Sequence, residues 1–367
     1  MNKNQNINQI LNTVGDLLKK GNKKLAVQFL SDYCRTQPEN ADAAREVGLF
    51  LQQNNMPIKA EMFYRNSLSI NNNQASVYFN LGVIYQNMNK TSEAIQAYQQ
   101  ATKISPDYSK AFANLGYLYN ETGETDKCRE ACLAAQTLEP DNPQIKHMIA
   151  ALGIEPLPET ADQQYIKDLY KDYADHYDEH LSVTLKSRVP ELIHSATLKY
   201  LKNQSPDNAL LDLGCGTGIC GNLFKHDTEK MAGVDLSQEM IEEAKKKHIY
   251  SELYVSDITE HLNVNSEQFD TVISSDVLIY IGKLQAIFEG VYKALKNDGL
   301  FTFSVESSID SNDDFILDAT GRYKHNSQYI SRIASENNLT ILSSDEMPLR
   351  QQNKQDVIGR IYVLRKD

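Results

Sequence analysis

The sequence predicts an α-helical solenoid followed by an α/β domain, a doubly wound sheet finished by a C-terminal antiparallel hairpin. Three observations carry this. Residues 7–142 repeat themselves at a fixed period of 34 residues. The run Ala209 to Gly221, ALLDLGCGTGICG, reads as a buried strand turning sharply into a helix. From there to the C-terminus, short apolar runs alternate with amphipathic ones, as strands and helices of an α/β domain do. At 367 residues the chain is too long for one ordinary core and suits two domains.

Units 7–40, 41–74, 75–108 and 109–142 follow one another without insertion. Aligned, they stack Ala26, Ala60, Ala94 and Cys128 at one position, and Gly48, Gly82 and Gly116 at a second. Tyr33, Ser67, Ala101 and Ala135 share a third, and Pro38, Asn72, Pro106 and Pro140 a fourth. The small residues let the two helices of a unit, and the next pair, approach closely; the proline ends the second helix. The first unit has Val14 where the others have glycine, an irregularity that a capping repeat tolerates. Residues 143–152, PQIKHMIAAL, predict a final helix that closes the array against the fourth pair, so the first domain spans 1–152.

The third and fourth units, YFNLGVIYQ…AIQAYQQATKISP and FANLGYLYN…CREACLAAQTLEP, closely resemble the tetratricopeptide repeat (TPR). The resemblance implies a concave surface offered to a peptide or another protein, with a spacer or dimerisation module as the competing reading. Tyr78, Asn80, Tyr85, Asn114 and Tyr117 are candidates for a polar groove, although most of the tyrosines also match the repeat's core pattern.

Gly153 to Glu159, GIEPLPE, holds two prolines and little periodicity, which places a linker at 153–160 and the second domain at 161–367. Tyr165, Leu169, Tyr173 and Tyr177 share one helix face. Within that helix His176 to His180 satisfies HxxEH, a zinc-protease pattern, but no third ligand stands in a supporting context. A second helix begins near Pro190 and runs to Leu201. These lid helices cover 161–203 and precede a core at 207–367.

At the glycine turn, Gly214, Gly216 and Gly218 supply backbone conformations that other residues resist and let a ligand approach the peptide groups. The free N–H groups at the helix start favour an anionic or polar ligand group. The pattern Asp212-x-Gly214-x-Gly216-x-Gly218 resembles motif I of class I S-adenosylmethionine (SAM) methyltransferases. Gly216-x-Gly218-x-x-Gly221 also satisfies the dinucleotide fingerprint. In that fingerprint, however, the first glycine closely follows the strand, and here Gly214 does so. The SAM resemblance implies that Asp212, Gly214, Cys215, Gly216 and Gly218 cradle the methionine part of the cofactor. It also implies that Tyr177, in a segment similar to the family's N-terminal lid helix, closes over the pocket.

The second strand ends in Asp235, 21 residues past Gly214, before Ser237 caps the next helix. The resemblance implies that Asp235 accepts hydrogen bonds from the ribose hydroxyls, with Leu236 and Met240 lining the adenosine site. The third strand finishes in Asp257 and Ile258, where the family holds the adenine amino group and packs the ring. The fourth ends near Ser274, Ser275 and Asp276, where the family meets the methyl group and the acceptor. Asp276 and Tyr280 are candidates to orient or deprotonate an acceptor. The strand end reads SSDV and not Asn-Pro-Pro-Tyr, which argues against amino methylation in the manner of enzymes carrying that motif. A fifth strand, Gly299 to Ser307, precedes Gly321-Arg322-Tyr323-Lys324-His325, and His325 is a further candidate base. LTILSSDEMPLRQ and VIGRIYVLRK form the terminal hairpin. This order of motifs resembles, over nearly the whole chain, a group of bacterial TPR-containing predicted methyltransferases.

Charge narrows the partners. Residues 1–142 carry 14 basic and 14 acidic residues, so the whole net charge of −12 falls on the rest. An acidic domain repels phosphate backbones, which argues against nucleic acid as a substrate. MNKNQNINQI has no signal-peptide character and no run approaches the ~20 apolar residues of a membrane span, so a cytoplasmic protein is expected. The five cysteines read as reduced thiols, with Cys128 and Cys132 as small core residues. The expected function is SAM-dependent methyl transfer to an unidentified acceptor, leaving S-adenosylhomocysteine and requiring no metal, with the repeats recruiting a protein substrate or carrier. The alternatives are a SAM-binding scaffold that transfers nothing, and a small-molecule methyltransferase whose repeats serve assembly.

Overall fold

The structure is a computed structural model that describes residues 7–171, 174, 177–201, 208–264, 266–307, 313–352 and 355–367. It divides into two compact units, Met1–Ile145 and Lys146–Asp367. Tyr173 of the tyrosine stripe and His176 of the HxxEH pattern lie outside the described residues.

The first unit is four helix pairs: α1 Ile7–Lys19 and α2 Lys23–Arg35, α3 Ala41–Gln53 and α4 Pro57–Ile70, α5 Ala75–Asn87 and α6 Thr91–Ile104, α7 Ser109–Glu121 and α8 Thr125–Leu138. The repeat glycine is needed for close approach. A Cβ on Gly48 would stand 2.6 Å from the Tyr64 ring, and one on Gly82 2.5 Å from the Tyr98 ring. The first unit solves the same contact differently, with Val14 and Leu30 at the equivalent positions, both fully buried. The aromatic residue also ties neighbouring pairs together. Tyr64 Oη donates to Gln52 Oε1 at 2.8 Å and accepts from Asn80 Nδ2 at 3.0 Å. Tyr98 Oη donates to Gln86 at 2.9 Å and is bonded by Asn114. A second rung joins Arg65 Nη2 to Tyr85 Oη at 2.7 Å, and Gln99 Nε2 to Tyr119 Oη at 2.7 Å. Asn80, Asn114 and Tyr85 are therefore engaged between repeats.

Residues Pro143–Ala151 form α9, and the division between the units falls inside it. The helix expected to close the repeat array thus contributes its residues from Lys146 onward to the second unit. There Ala150 joins Ala161, Leu317 and Tyr323 in an apolar cluster. An apolar face is visible in sequence; what it packs against is not.

The second unit carries α10 Gln163–Lys171, a short α11 Tyr177–Glu179 running into a π-helical turn His180–Thr184, and α12 Val189–Tyr200 with Pro190 in its first turn. Its strands are β1 Ala209–Leu213, β2 Lys230–Asp235, β3 Glu252–Val255, β4 Phe269–Ser274, β5 Leu295–Ser307, β6 Phe315–Leu317, β7 Tyr323–His325, β8 Leu339–Gln352 and β9 Gln355–Lys366. Helices α13 Ile219–Phe224, α14 Gln238–Lys246, α15 Ile258–Asn263, α16 Gln285–Ala294 and α17 Ser327–Glu336 connect them.

Among the described residues the sheet runs β3-β2-β1-β4-β5-β7-β6, with β9 antiparallel on β5 and β8 on β9. The first five strands in that order are parallel, as the sequence predicts, and the terminal hairpin is present. The β6/β7 hairpin was not expected, because three-residue strands carry no periodic signal.

Alternation in β1 divides its side chains between two cores. Leu211 and Leu213 pack with Val272, Phe301 and Phe303 on one face, Leu210 with Ile193, Phe224 and Ile361 on the other. The strand order reverses between β1 and β4, and open α/β sheets bind ligands at the carboxyl ends of strands at such a switch point. No helix among the described residues is long and apolar enough to cross a membrane.

Candidate functional site

Beyond Leu213 the backbone turns through three left-handed glycines, Gly214 at φ 69°, Gly216 at 53° and Gly218 at 87°. Gly214 N donates to Val234 O at 2.8 Å and Cys215 N to the same oxygen at 3.0 Å, which folds the turn onto β2. A Cβ on Gly214 would stand 2.3 Å from Val277, whereas one on Gly216 would meet only Tyr177, at 4.0 Å. The face of Gly216 is thus open to a ligand. Gly221 is required for a different reason, since a Cβ there would fall 2.3 Å from the Tyr250 hydroxyl. Its place in the dinucleotide fingerprint reflects helix packing.

The turn opens on a cavity of about 550 Å³. Tyr177, Gly214, Gly216, Asp235, Leu236, Met240, Asp257 and Ile258 all line it, as do Asp276 and Tyr280. Asp235 stands at the end of β2 with Oδ2 accepting from Gly216 N and Oδ1 from Ser237 N, both at 2.9 Å. Burial raises its carboxyl above the usual range, and the backbone N–H groups oppose that. Asp257 caps α15 through Oδ1, while Oδ2 accepts from Gln163 Nε2 at 3.3 Å.

Four of the expected cofactor residues lie off this cavity. Asp212 and Cys215 border a smaller space of about 30 Å³ beneath the turn, shared with Gly216, Thr217 and Asp276. Asp212 Oδ2 accepts from the Tyr250 hydroxyl at 2.7 Å, and burial, opposed by that bond and the Gly221 N–H, pushes this carboxyl up to about 7. Gly218 backs onto the Tyr250 ring. Ser274 is fully buried and donates to Leu213 O at 3.3 Å, a tie between β4 and β1; its neighbour Ser275 lines the cavity instead.

His325 is corrected as well. Its Nε2 faces the carbonyls of Ile281 at 2.9 Å and Gly282 at 3.1 Å, so that nitrogen carries the proton and donates it to main chain. The ring is buried, away from the cavity lining, and desolvation lowers its pKa to about 4. Its role is to hold the loop after β4. A depressed histidine contributes stability that is present above its unfolded pKa of ~6.5 and is lost as pH falls toward the folded value. Urea unfolding from pH 6.5 to pH 4 is expected to show a decline that His325→Gln lessens by about 3 kcal/mol. An identical pH dependence in the two proteins would refute this.

The segment read as a linker in fact builds a cavity wall. Thr160 bridges to Ile281 in antiparallel fashion, Ala161 N donates to Tyr280 O at 2.9 Å, and Gly282 N donates to Glu159 O at 2.9 Å. Glu159, Thr160 and Ala161 line the cavity. Tyr323 Oη donates to Pro158 O at 2.9 Å, and His147 Nε2 lies 2.8 Å from Gly321 O with its ring stacked on Tyr165. The hydrogen bonds among these join residues more than a hundred positions apart, which no local pattern reveals.

A lid is pinned on the other side. Thr217 Oγ1 donates to Asp178 Oδ1, and Lys247 Nζ pairs with Oδ2 at 2.8 Å, which holds the adjacent Tyr177 over Gly216. Asp178→Ala is expected to raise the dissociation rate of a ligand on the turn about fivefold, the yield of a partly exposed pair of ~1 kcal/mol. Stopped-flow release of S-adenosylhomocysteine measures it, and an unchanged rate would show that the latch does not hold the lid.

At the far end, sequence reading missed a charged cluster. Arg350, only 2% exposed, pairs through Nη1 with Asp276 Oδ1 at 2.8 Å and through Nη2 with Glu306. Arg322 Nη1 lies 4.0 Å from Glu306 and donates to Gln352 at 2.6 Å. Tyr170, also missed, places its hydroxyl 2.7 Å from that of Tyr280. Only the distribution of arginine and tyrosine in β8, α10 and the GRY segment hinted at these groups.

A family model described as a methyltransferase domain matches residues 204–356, and tetratricopeptide repeat models match 75–108 and 97–130. Residues 204–356 are thus similar to a methyltransferase domain, and residues 75–130 to tetratricopeptide repeats. Among relatives, the uncharacterized methyltransferase YodH of Bacillus subtilis is 34% identical over 109 residues, which cover 29% of this chain and 46% of YodH. A malonyl-[acyl-carrier protein] O-methyltransferase of Hamiltonella defensa is 28% identical over 95 residues, 26% of this chain and 36% of that protein. The chain spans about half the length, or less, of the relatives it matches. The crystal structure of Burkholderia thailandensis 1,6-didemethyltoxoflavin-N1-methyltransferase, with bound S-adenosylhomocysteine, aligns at a TM-score of 0.45 and 18% identity, covering 57% of this chain and 92% of that one. In this unit the glycine turn, Asp235 and Asp257 stand in the order and at the strand ends where sequence placed them. Among the described residues, no cluster of three metal-ligating side chains occurs.

Proposed function

We propose that this protein transfers the methyl group of SAM to an acceptor, and that the repeat array recruits a protein that is the substrate or carries it. The observation that carries the reading is the convergence of the open Gly216 face, Asp235 and Asp257 on one cavity of about 550 Å³. Asp235 retains lone pairs for two ribose hydroxyls, and Asp257 with Ile258 suits the adenine edge and face. Asp212, beside a space the size of one water molecule, suits an ammonium group reached through water. SAM supplies a methyl group on a sulfur that is already positive, so the chain's own task is to align the acceptor and exclude water. Alignment alone is worth roughly 7–11 kcal/mol in favourable cases. Tyr177 and the Glu159–Ala161 strap close the cavity for that purpose. A relative named for methylating a substrate on an acyl carrier protein supports the notion of recruitment through a carrier.

Transfer from methyl-labelled SAM into a lysate freed of small molecules and then resupplied with its small-molecule fraction tests the reading. Full chain is compared with residues 143–367, a truncation that keeps His147. Label in macromolecules that disappears with the repeats is expected. Label confined to small molecules would make the array an assembly device, and bound SAM without transfer would leave a scaffold.

A further inference from the structure

The lining of the cavity is acidic, and, resting on the methyltransferase reading, this narrows the acceptor. Glu159, Asp235, Asp257, Asp276 and Glu289 line it against one basic side chain, Lys283. Lys283 is paired with Glu159 at 2.8 Å, and Asp276 with Arg350, which Glu306 shares. Among the described residues, no basic side chain pairs with Asp235, Asp257 or Glu289. Their partners are main-chain N–H groups and the amides of Gln163 and Gln285. A cleft lined by one sign of charge concentrates that field on whatever enters it.

Three tyrosines line the same cavity, beside an apolar slot of Ala161, Ile166 and Ile281. The Tyr177 ring meets that of Tyr170 at 5.9 Å and 73°, and Tyr170 meets Tyr280 at 6.1 Å and 87°. The hydroxyls of Tyr170 and Tyr280, 2.7 Å apart, tie two of the rings together. Rings set at near right angles make a box, and aromatic faces attract a cation most where water is excluded.

Asp276 is held firmly in this wall. Its backbone is left-handed, with φ 58°, a conformation sparsely populated outside glycine. Its N–H donates to Ser304 Oγ at 2.9 Å, Oδ1 accepts from Arg350 Nη1 at 2.8 Å, and Oδ2 accepts from Ser187 Oγ at 3.3 Å. Three separate elements thus aim one carboxylate.

Methyl acceptors differ in where their charge goes. Carboxylates, phenolates and thiolates arrive negative and end neutral, so an acidic wall repels them and the rings offer them nothing. An un-ionised amine arrives neutral and ends positive. Wall and rings both stabilise that change as it develops, and stabilisation that grows toward the transition state raises the rate.

We propose that the acceptor is an aliphatic amine on an apolar body. Tyr170, Tyr177 and Tyr280 surround its nitrogen, and Asp276 accepts a hydrogen bond from its N–H. The ammonium leaves one proton to water before it enters. The nitrogen lone pair then forms the N–CH₃ bond as the CH₃–S bond breaks and its electron pair stays on sulfur. The positive charge passes from sulfur to nitrogen, and the products are an N-methylammonium and S-adenosylhomocysteine.

The test uses the full chain, methyl-labelled SAM, both lysate fractions, and three probes: hexylamine, hexanoic acid and phenol. Mass spectrometry of the labelled species reads the methylated atom, in protein or in small molecules. Label on nitrogen is expected, with transfer to hexylamine and not to the acid or the phenol. Because an alkyl ammonium has a pKa of ~10, kcat/KM for hexylamine is expected to rise about tenfold per pH unit from about pH 7 to about pH 9. At saturating SAM, Tyr170→Leu is expected to lower that kcat/KM about tenfold and Tyr170→Phe, which keeps the aromatic face, about threefold. Label on oxygen, carbon or sulfur, transfer to hexanoic acid or phenol, or a flat pH profile would overturn the amine assignment and leave methyl transfer intact. So would a Tyr170→Leu variant that loses affinity for SAM relative to S-adenosylhomocysteine yet keeps its kcat/KM for hexylamine, since the rings would then serve the sulfonium alone. No transfer at all, with S-adenosylhomocysteine bound, would overturn the methyltransferase reading and this one with it.

Discussion

Asp235→Ala is expected to raise the dissociation constant for S-adenosylhomocysteine about a hundredfold, because a carboxylate bonded to two hydroxyls contributes roughly 3 kcal/mol and each 1.4 kcal/mol is a factor of ten. The carboxylate does two things at once. Its oxygens take the N–H groups of Gly216 and Ser237, which fixes the open face of the turn against β2, and their remaining lone pairs face the cavity. Asp235→Asn keeps one acceptor oxygen, so it should fall between the wild type and the alanine variant. Calorimetric titration with S-adenosylhomocysteine reads both. An affinity unchanged in the alanine variant would remove Asp235 from the ribose site.

The second large effect lies in the repeats. Gly82→Ala places a methyl group 2.5 Å from a ring carbon of Tyr98, a residue with no exposed surface whose hydroxyl is fixed by Gln86 and Asn114. The ring cannot swing aside without breaking those bonds, so the substitution should cost about 3 kcal/mol, the upper range for overpacking. The first repeat shows the remedy in its Val14 and Leu30. Adding Tyr98→Leu to Gly82→Ala is therefore expected to recover at least about 1 kcal/mol relative to the sum of the single changes, the coupling expected of residues in contact. Urea unfolding of the full chain measures it. Strict additivity would show that the glycine is kept for some reason other than the facing ring.

Both effects rest on residues that sequence already singled out, and for the same reason. A glycine at a fixed phase of a repeat, or at alternate positions after a strand, is a local requirement of the backbone. So is an acid at the end of the next strand. The candidates that shifted are those whose role depends on what faces them. Ser274 and His325 stand in the right segments but turn into the main chain. Asp276 does line the cavity, yet its neighbour in space is Arg350, 74 residues away.

By itself the sequence determined the two architectures, their order, the glycine turn with its acidic strand ends, and one wall of the cavity, because each follows from patterns within a few turns or one strand–helix unit. The tertiary structure decided the other wall. It brought the strap at Glu159–Ala161, the His147 end of the last repeat-like helix, the Tyr170–Tyr280 pair and the Arg350 cluster to one place. Hydrogen bonds and ion pairs between distant segments leave no period in the chain.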